Sequence, residues 1–442
     1  MAKFEPILSK YFNEPNAWTL DHYRKRGGIY GYETAKKAIT SFEPKQLVDE
    51  VKKSNLRGRG GAGFPAGVKW SFLPENGKPR YLAVNADESE PGTFKDRAIM
   101  GRDPHSLIES MICACWAIQS HHAYVFIRGE FVLEAKRLQA AVDECYKAGI
   151  LGENVLGLGK FKLDITVITG AGAYICGEET GLLSAAEGQR AYPKIKPPFP
   201  AVEGYFRYPT IINNVETIAC VMHIVANGAD WFKKIGPESG PGPKLFCVSG
   251  HVQKPGLYEV ALGTTLREII YDYAGGPVGN IKGIIPGGSS MPIMTPDQID
   301  TPADFDSIRA AGSFLGSAGM IVFNDETCIV NALLNLARFY HHESCGQCTP
   351  CREGLGWLEK LCHRIEFGHG KEGDADMLNE VCVMIKGRTI CFLADSLVMP
   401  VQSYVAKFRD EFEYHIKHHK CQTATEPGKF KAPEHLQLAT AQ

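Results

Sequence analysis

The sequence predicts an α/β layer on a largely parallel sheet, followed by a small α+β unit and a four-helix bundle. Three observations lead there. Strand-like and helix-like stretches alternate between residues 80 and 187. A Pro- and Gly-rich run at 236–243 marks a change of pattern. From residue 327 onward the periodicity is nearly all helical. A chain of 442 residues also exceeds what one ordinary core accommodates.

Residues 1–40 are polar and turn-rich. The segment 45–53 places Leu47, Val48 and Val51 on one side, which predicts a helix. A glycine-dense loop follows at 57–67. Residues 80–85 read as a short buried strand that ends in an acidic loop. Helical periodicity returns at 105–118, 131–148 and 179–187, with strands at 123–128 and 161–169 between. Beyond the boundary, 244–249, 256–260 and 281–285 read as strands and 266–274 as a short helix. The last stretch predicts helices over 330–340, 354–367, 374–385 and 395–415. The expected divisions are therefore 1–240, 241–326 and 327–421, with 422–442 a disordered Thr-, Ala-, Pro- and Lys-rich tail. No internal repeat is visible.

Composition excludes several classes. Hydrophobic residues at 44% and charged residues at 22% describe a globular protein. Forty-eight basic against 50 acidic residues leave a net charge of −2, which argues against a nucleic-acid binder. The start, Met-Ala-Lys-Phe-Glu-Pro, has no apolar stretch of a secretory signal and is not the Arg- and Ser-rich start of a transit peptide. The longest uncharged run, 110–127, is interrupted by Gln119, Ser120, His121 and His122, so it reads as a buried helix, a turn and a strand. No direct membrane insertion is expected.

Fourteen cysteines without an export signal point to metal or redox chemistry rather than disulfides. Cys345, Cys348 and Cys351 form C-x2-C-x2-C, three thiols able to converge on one iron–sulfur cube from a tight turn. A cube needs four thiolates, and the position a bacterial ferredoxin would use next is Leu355. The candidates for the fourth are Cys328, Cys362, Cys382, Cys391 and Cys421. Cys362 shares a helical face with Leu358, Leu361 and Ile365, and Cys382 with Leu378, Val381 and Ile385, so both read as core. Cys391 follows the helix stop Lys386-Gly387-Arg388 and precedes a new helix, where a loop can turn toward the triplet; it is the preferred ligand. The competing reading is a zinc site of the triplet with His341 or His342.

Two glycine loops invite a nucleotide. Gly58-Arg59-Gly60-Gly61-Ala62-Gly63 satisfies G-x-G-x-x-G, but a helix rather than a strand precedes it, so it is not an ordinary dinucleotide fingerprint. It can still bring backbone N–H groups close to a phosphate or a flat ring. The second loop, 170–179, runs from a strand into a helix N-terminus and includes Tyr174, Gly177, Glu178 and Glu179. The carboxylates there suit ribose hydroxyls better than a phosphate. The polar loop 85–92 and the pair Asn213–Asn214 with Thr217 add groups able to hold a ribityl chain or a phosphate; the competing readings are a solvated acidic turn and a helix N-cap.

Together, Arg57–Pro65 with Lys69 and Trp70, the run 85–92, the run 170–180 and the run 343–354 resemble the NADH-binding flavoprotein subunit of respiratory complex I, over roughly residues 20–420 and in the family's order. The resemblance implies a Rossmann-like flavin domain behind an N-terminal extension, a ubiquitin-like β-grasp domain and a helical bundle carrying a [4Fe–4S] cluster. It implies FMN contacts at Gly58, Gly60, Gly61, Lys69, Asn85, Asp87, Glu88, Ser89, Tyr174, Gly177, Glu178, Ile212, Asn213, Asn214 and Thr217. NADH contacts would be Gly61, Ala62, Phe64, Lys69, Phe72, Glu90, Glu179, Lys196 and Phe199, with Glu90 and Glu179 positioning the dinucleotide. Its cluster ligands fall on Cys345, Cys348, Cys351 and Cys391.

No side chain would act as nucleophile: hydride would pass from NADH to FMN, and electrons would leave singly through the cluster. The implied setting is bacterial and cytoplasmic, peripheral to the inner membrane through a complex. The implied partners are a [2Fe–2S] thioredoxin-like subunit and a large multi-cluster iron–sulfur subunit. The same module also serves as diaphorase in soluble NAD-linked hydrogenases and formate dehydrogenases; a non-catalytic zinc or iron–sulfur scaffold is the reading from another class.

Overall fold

The structure, a computed structural model, describes residues 4–423. The Tyr-Leu-Ala-Val segment opens strand β1 (Tyr81–Ala86), and β2 (His122–Ile127), β3 (Asp164–Thr169) and β4 (Thr210–Asn214) complete the first sheet. All neighbours pair in parallel, in the order β3-β2-β1-β4. The chain thus runs outward from β1 through β2 to β3, then returns to the other side of β1. That reversal makes a crevice beyond the carboxyl ends of β1 and β4, where open α/β sheets bind ligands. Asn85 and Asn214 sit there as register partners.

Helices cover the sheet. The N-terminal segment forms α1 (Leu20–Lys25), α2 (Glu33–Ser41) and α3 (Pro44–Lys53), and α4 (Ala66–Trp70) follows the first glycine loop. The crossovers use α5 (Lys95–Arg102), α6 (Pro104–Ile118), α7 (Val132–Lys147) and α8 (Glu179–Ala186); α9 (Val215–Asn227) and α10 (Ala229–Lys233) come after β4. Pro104 opens α6 at its first turn, and Gln119 ends it in the left-handed region at φ 56°. The uncharged run 110–127 is therefore a buried helix, a turn and strand β2, as its pattern predicts. No helix among the described residues is long and apolar enough to cross a membrane.

The second unit is a mixed sheet of β5 (Pro243–Gly250), β6 (Gly256–Ala261), β7 (Ile281–Ile285) and β8 (Gly319–Asn324), in the order β6-β5-β8-β7. Its central pair is parallel and its outer pairs antiparallel. Helix α11 (Leu266–Glu268) continues into a π turn, and α12 (Phe305–Ala310) packs nearby. The N-terminal extension reaches this unit: the Glu259 carboxylate accepts the N–H groups of Ile7, Leu8 and Ser9 at 2.7–3.0 Å.

The last unit holds α13 (Ile329–His342), α14 (Thr349–Glu366), α15 (Asp374–Ile385), α16 (Asp395–Lys407) and α17 (Arg409–His418). Its core includes Leu333, Leu355, Leu358, Cys362, Leu378, Cys382 and Leu397, so Cys362 and Cys382 are core residues as their helical faces predict. The single helix expected over 395–415 is corrected to two. Phe408, at φ −127° and ψ 31°, leaves helical geometry and divides α16 from α17. The four expected helices are thus joined by a short fifth. The tail read as disordered lies, from residue 424 on, outside the described residues.

A buried charge cluster joins the first two units. Glu216, at the start of α9, accepts Lys244 Nζ at 2.6 Å and the Leu245 N–H at 2.9 Å, with Lys95 Nζ at 3.1 Å. Burial alone would raise the Glu216 carboxyl, but Lys244, Lys95 and Arg59 around it hold it below the usual range. Burial pulls Lys244 down to about 8 against that attraction. Removing one partner of such a set leaves the others charged and dry. Glu216→Ala should lower unfolding free energy by about 3–5 kcal/mol in denaturant titration, and a loss below about 1 kcal/mol would contradict this reading.

Candidate functional site

The crevice beyond β1 and β4 opens into a cavity of about 490 Å³, within the usual range for ligand pockets. Gly60, Gly61 and Ala62 form one wall. Asn85, Asp87, Glu88, Ser89 and Glu90 form the loop after β1, and Tyr174, Gly177, Glu178 and Asn214 come from the second glycine loop and β4. Cys391, Phe392 and Leu393, from the loop before α16, line it as well.

The two glycine loops approach closely for identifiable reasons. A Cβ at Gly60 would stand 2.9 Å from Cβ of Asn214, and Gly61 has φ 144°, a conformation other residues rarely adopt. The Gly58 N–H donates to Phe64 O at 2.9 Å, closing the loop on itself. Thr217 Oγ1, fully buried, accepts the Arg59 N–H at 2.8 Å, and Asn213 Oδ1 accepts Trp70 Nε1 at 2.8 Å. These bonds tie Gly58, Thr217 and Asn213 into the wall, next to buried Ile212. Asn214 both lines the cavity and caps α9, accepting the Glu216 N–H at 3.0 Å.

The acidic loop is buried, not solvated. Burial pushes the Asp87 carboxyl up to about 7, against a hydrogen bond from Ser89 Oγ at 3.0 Å. Burial and the neighbouring Asp96 raise Glu88 to about 7, although it accepts the Asp96 and Arg97 N–H groups at 2.8 and 3.1 Å. Burial likewise raises Glu90, which accepts Tyr174 Oη and Ser290 Oγ, each at 2.7 Å. Both Glu90 oxygens thus have protein partners.

A second constellation centres on Glu179, the neighbour in sequence of the lining residue Glu178. Glu179 Oε2 accepts Lys69 Nζ at 3.0 Å and Oε1 accepts Lys196 Nζ at 2.9 Å. Burial would raise Glu179, but Lys69 and Lys196 hold it below the usual carboxylate range. Glu178 instead caps α8, accepting the Thr180 and Gly181 N–H groups at 2.8 and 2.9 Å. Phe64 and Phe72 are about half exposed, with ring centroids 6.0 Å apart, and Phe199 is 57% exposed. Large apolar rings left in water beside a cleft are suited to receiving a flat base.

The thiols gather at the junction of α13, α14 and the loop before α16. Cys348 is the N-cap of α14 and Cys351 lies in its first turn, so only the first step of the triplet is a free turn; the helix begins five residues earlier than expected. A helix N-terminus favours thiolate. Ser344 Oγ lies 3.2 Å from Cys351 Sγ, and the Ile390 N–H donates to Cys348 Sγ at 3.4 Å, which ties the Cys391 loop to the triplet. Burial, with the neighbouring thiols adding to it, pushes Cys351 up to about 11 and Cys391 up to about 12. Such thiols ionise when a cationic centre compensates them. Among the described residues, the set of three ligands whose donor atoms lie within 4.8 Å of one another is a different one, Cys328, His415 and Cys421. No three of Cys345, Cys348, Cys351 and Cys391 form such a set among the described residues.

Several lining residues carry no signal in the sequence strong enough to single them out. Thr93, Lys95 and Asp96 follow the acidic loop, and Gly287, Ser290, Phe305, Arg309 and Phe314 come from the second unit. The run Pro286-Gly287-Gly288-Ser289-Ser290 after β7 is the available clue: glycines beside hydroxyls often cradle a ligand.

Comparison with known proteins shows the family of the chain. The Nuo51 FMN-binding domain model matches residues 51–223, the SLBB domain model residues 245–293, and the model of the NADH-ubiquinone oxidoreductase-F iron-sulfur binding region residues 331–415. The chain is 51% identical to the NADH-quinone oxidoreductase F 2 subunit of Rhizobium meliloti (strain 1021), covering 95% of this chain and 99% of that protein. It is 50% identical to the NADH-quinone oxidoreductase F subunit of Streptomyces coelicolor, over 94% of this chain and 92% of that one. A crystal structure of NAD+-reducing [NiFe]-hydrogenase superposes with TM-score 0.81 at 33% identity, covering 99% of this chain and 70% of that chain.

The buried acid gives a test in the flavin-free protein. Asp87 takes up its proton more readily folded than unfolded, so between pH 4 and 7 the folded state binds more protons and its stability falls as pH rises. Asp87→Asn should therefore stabilise the flavin-free chain by roughly 4 kcal/mol at pH 8 and by little at pH 4. An equal gain at both values would contradict the assignment.

Proposed function

The chain belongs to the family of NADH-quinone oxidoreductase F subunits, and from that premise we propose how its residues divide the work of an NADH dehydrogenase. The family's FMN-binding domain and [4Fe–4S] region are both present. One observation carries the reading: a single cavity is lined by Gly60, Asn85 and Gly177 and also by Cys391.

FMN, when bound, supplies the link between a two-electron hydride donor and a one-electron carrier. The residues fit it: a wall that a Cβ at Gly60 would obstruct, a ring of buried carboxylates and amides for a polyol chain, and thiols held protonated until a cluster compensates them. Gly60, Gly61, Asn85, Asp87, Glu88, Ser89, Tyr174, Gly177, Glu178 and Asn214 would hold the flavin. Gly58, Ile212, Asn213 and Thr217 would fix the shape of its wall. Cys345, Cys348, Cys351 and Cys391 would ligate the cluster.

For NADH we assign Gly61 and Ala62 to the approach, Phe64, Phe72 and Phe199 to the adenine, and Lys69, Glu179 and Lys196 to the adenosine ribose. Glu90 would position the dinucleotide through the hydroxyls that it orders. Glu179 has a selective role as well. Its carboxylate accepts hydrogen bonds from ribose hydroxyls and repels a 2′-phosphate, and it neutralises two lysines that would otherwise attract one.

At the level of the whole protein we propose three units: 1–240 with a Rossmann-like flavin domain, 241–326 as a ubiquitin-like β-grasp, and 327–421 as the cluster-bearing bundle. Membership of this family implies a multi-subunit complex. We assign the partners as a [2Fe–2S] thioredoxin-like subunit and a multi-cluster iron–sulfur subunit, on the cytoplasmic face of a bacterial inner membrane. Identity near half with the NADH-quinone oxidoreductase proteins, against a third with the hydrogenase chain, favours this over a diaphorase role.

Two measurements test the assignment. Glu179→Gln should raise the NADPH/NADH ratio of kcat/KM at least about tenfold, or about 1.4 kcal/mol; an unchanged ratio removes Glu179 as the selector. Cys391→Ala should abolish the EPR signal of the reduced [4Fe–4S] cluster while Cys362→Ala keeps it, and the reverse pattern would reassign the fourth ligand.

A further inference from the structure

The last unit carries a second cluster of metal-ligating side chains at its opposite end. Cys345 and Cys348 lie beyond the carboxyl end of α13, whereas Cys328 is its N-cap. Fourteen helical residues separate the two ends, about 21 Å at 1.5 Å per residue. Cys328, His415 and Cys421 bring one donor atom each within 4.8 Å of one another.

The details favour a single ion. His415 is fully buried, and its Nε2 lies 3.5 Å from Cys328 Sγ. A tetrahedron with the usual zinc–sulfur and zinc–imidazole bonds has a sulfur–nitrogen edge of about 3.6 Å. Among the described residues His415 Nδ1 has no hydrogen-bond partner, and it stands 3.6 Å from Glu366 Oε2. A buried ring nitrogen left unsatisfied is costly, and a carboxylate beside it is the usual outer partner of a zinc-bound histidine. Asn331 braces both neighbours: its N–H donates to Cys328 Sγ at 3.3 Å and its Nδ2 to Glu366 Oε1 at 2.8 Å. Two thiols and one imidazole are the donor chemistry of zinc.

We propose that Cys328, Cys421 and Nε2 of His415 form a zinc site, oriented by Glu366 through Nδ1 of His415. Binding of Zn²⁺ displaces the two thiol protons to solvent, with no change of oxidation state. The ion ties the segment after α17 to the start of α13 and the end of α14. It is independent of the electron path, because it lies a helix length from the cluster thiols.

The test uses the full chain carrying FMN and its iron–sulfur cluster, dialysed against metal-free buffer and supplied with Zn²⁺. Elemental analysis should find one zinc per chain. X-ray absorption at the zinc edge should show two sulfurs at about 2.3 Å with nitrogen or oxygen at about 2.0–2.1 Å. Cys421→Ser, at a half-buried position, should lose that zinc while FMN and iron per chain stay unchanged, which reports an intact fold. The proposal is overturned if wild type retains no zinc, if Cys421→Ser retains as much as wild type, if the ion has four sulfur neighbours, or if peptide mapping finds Cys328 and Cys421 joined as a disulfide.

Discussion

Glu90 leaves the loop after β1 and ends where three parts of the chain meet. Its carboxylate accepts Tyr174 Oη from the second glycine loop at 2.7 Å, the Ser290 N–H and Oγ from the second unit at 2.8 and 2.7 Å, and Tyr340 Oη from α13 at 3.4 Å. Nearby, Glu343 beyond the end of α13 accepts the Tyr174 N–H at 2.9 Å. A buried carboxylate is tolerated only when its lone pairs are filled, so the three units are held to one relative placement by the need to satisfy this group. With that placement the Cys391 loop lines the same cavity as the glycine loops. A Cβ at Gly288 would meet Glu90 Cγ at 2.5 Å, so the second unit approaches the acid closely because a glycine stands there.

Electrostatics around the cavity follow from burial more than from charge count. Asp87, Glu88 and Glu90 occupy one loop, and burial raises all three. A site built this way trades stability for pre-arranged acceptors. The opposite holds at Glu179, where two lysines overcome burial and keep the carboxylate ionised. The carboxyls of the loop after β1 and that of Glu179 are thus shifted in opposite directions although both stretches are acidic in sequence.

Much of this is legible in the residues. The apolar faces around Cys362 and Cys382 mark them as core thiols in the sequence, and both are buried in the bundle core; the C-x2-C-x2-C triplet and the helix stop before Cys391 suggest a converging set, and the Ile390 N–H on Cys348 Sγ brings the Cys391 loop beside the triplet. The alternating strands give a parallel sheet, and the lack of a strand before Gly58 argues against an ordinary fingerprint; helix α3 stands there. Strands β4 and β8 are not visible in the sequence, because five- and six-residue runs ending in asparagine resemble turns until their register partners are known. The split at Phe408 is hidden too, since periodicity continues across it. Arg309 and Phe314 escape a sequence reading because they reach the cavity only through packing of separate units. Glu90 illustrates the same limit: its type and loop suggest a ligand contact, while its hydrogen bonds to Ser290 and Tyr340 depend on long-range folding.

The most direct measurement is a crystal structure of the chain loaded with FMN and iron–sulfur cluster, with iron located by anomalous scattering. The account predicts flavin density between Gly60 and the Cys391 loop, iron among Cys345, Cys348, Cys351 and Cys391, and Glu90 still bound by Ser290. Flavin outside that cavity, or iron on any other thiol set, would contradict it.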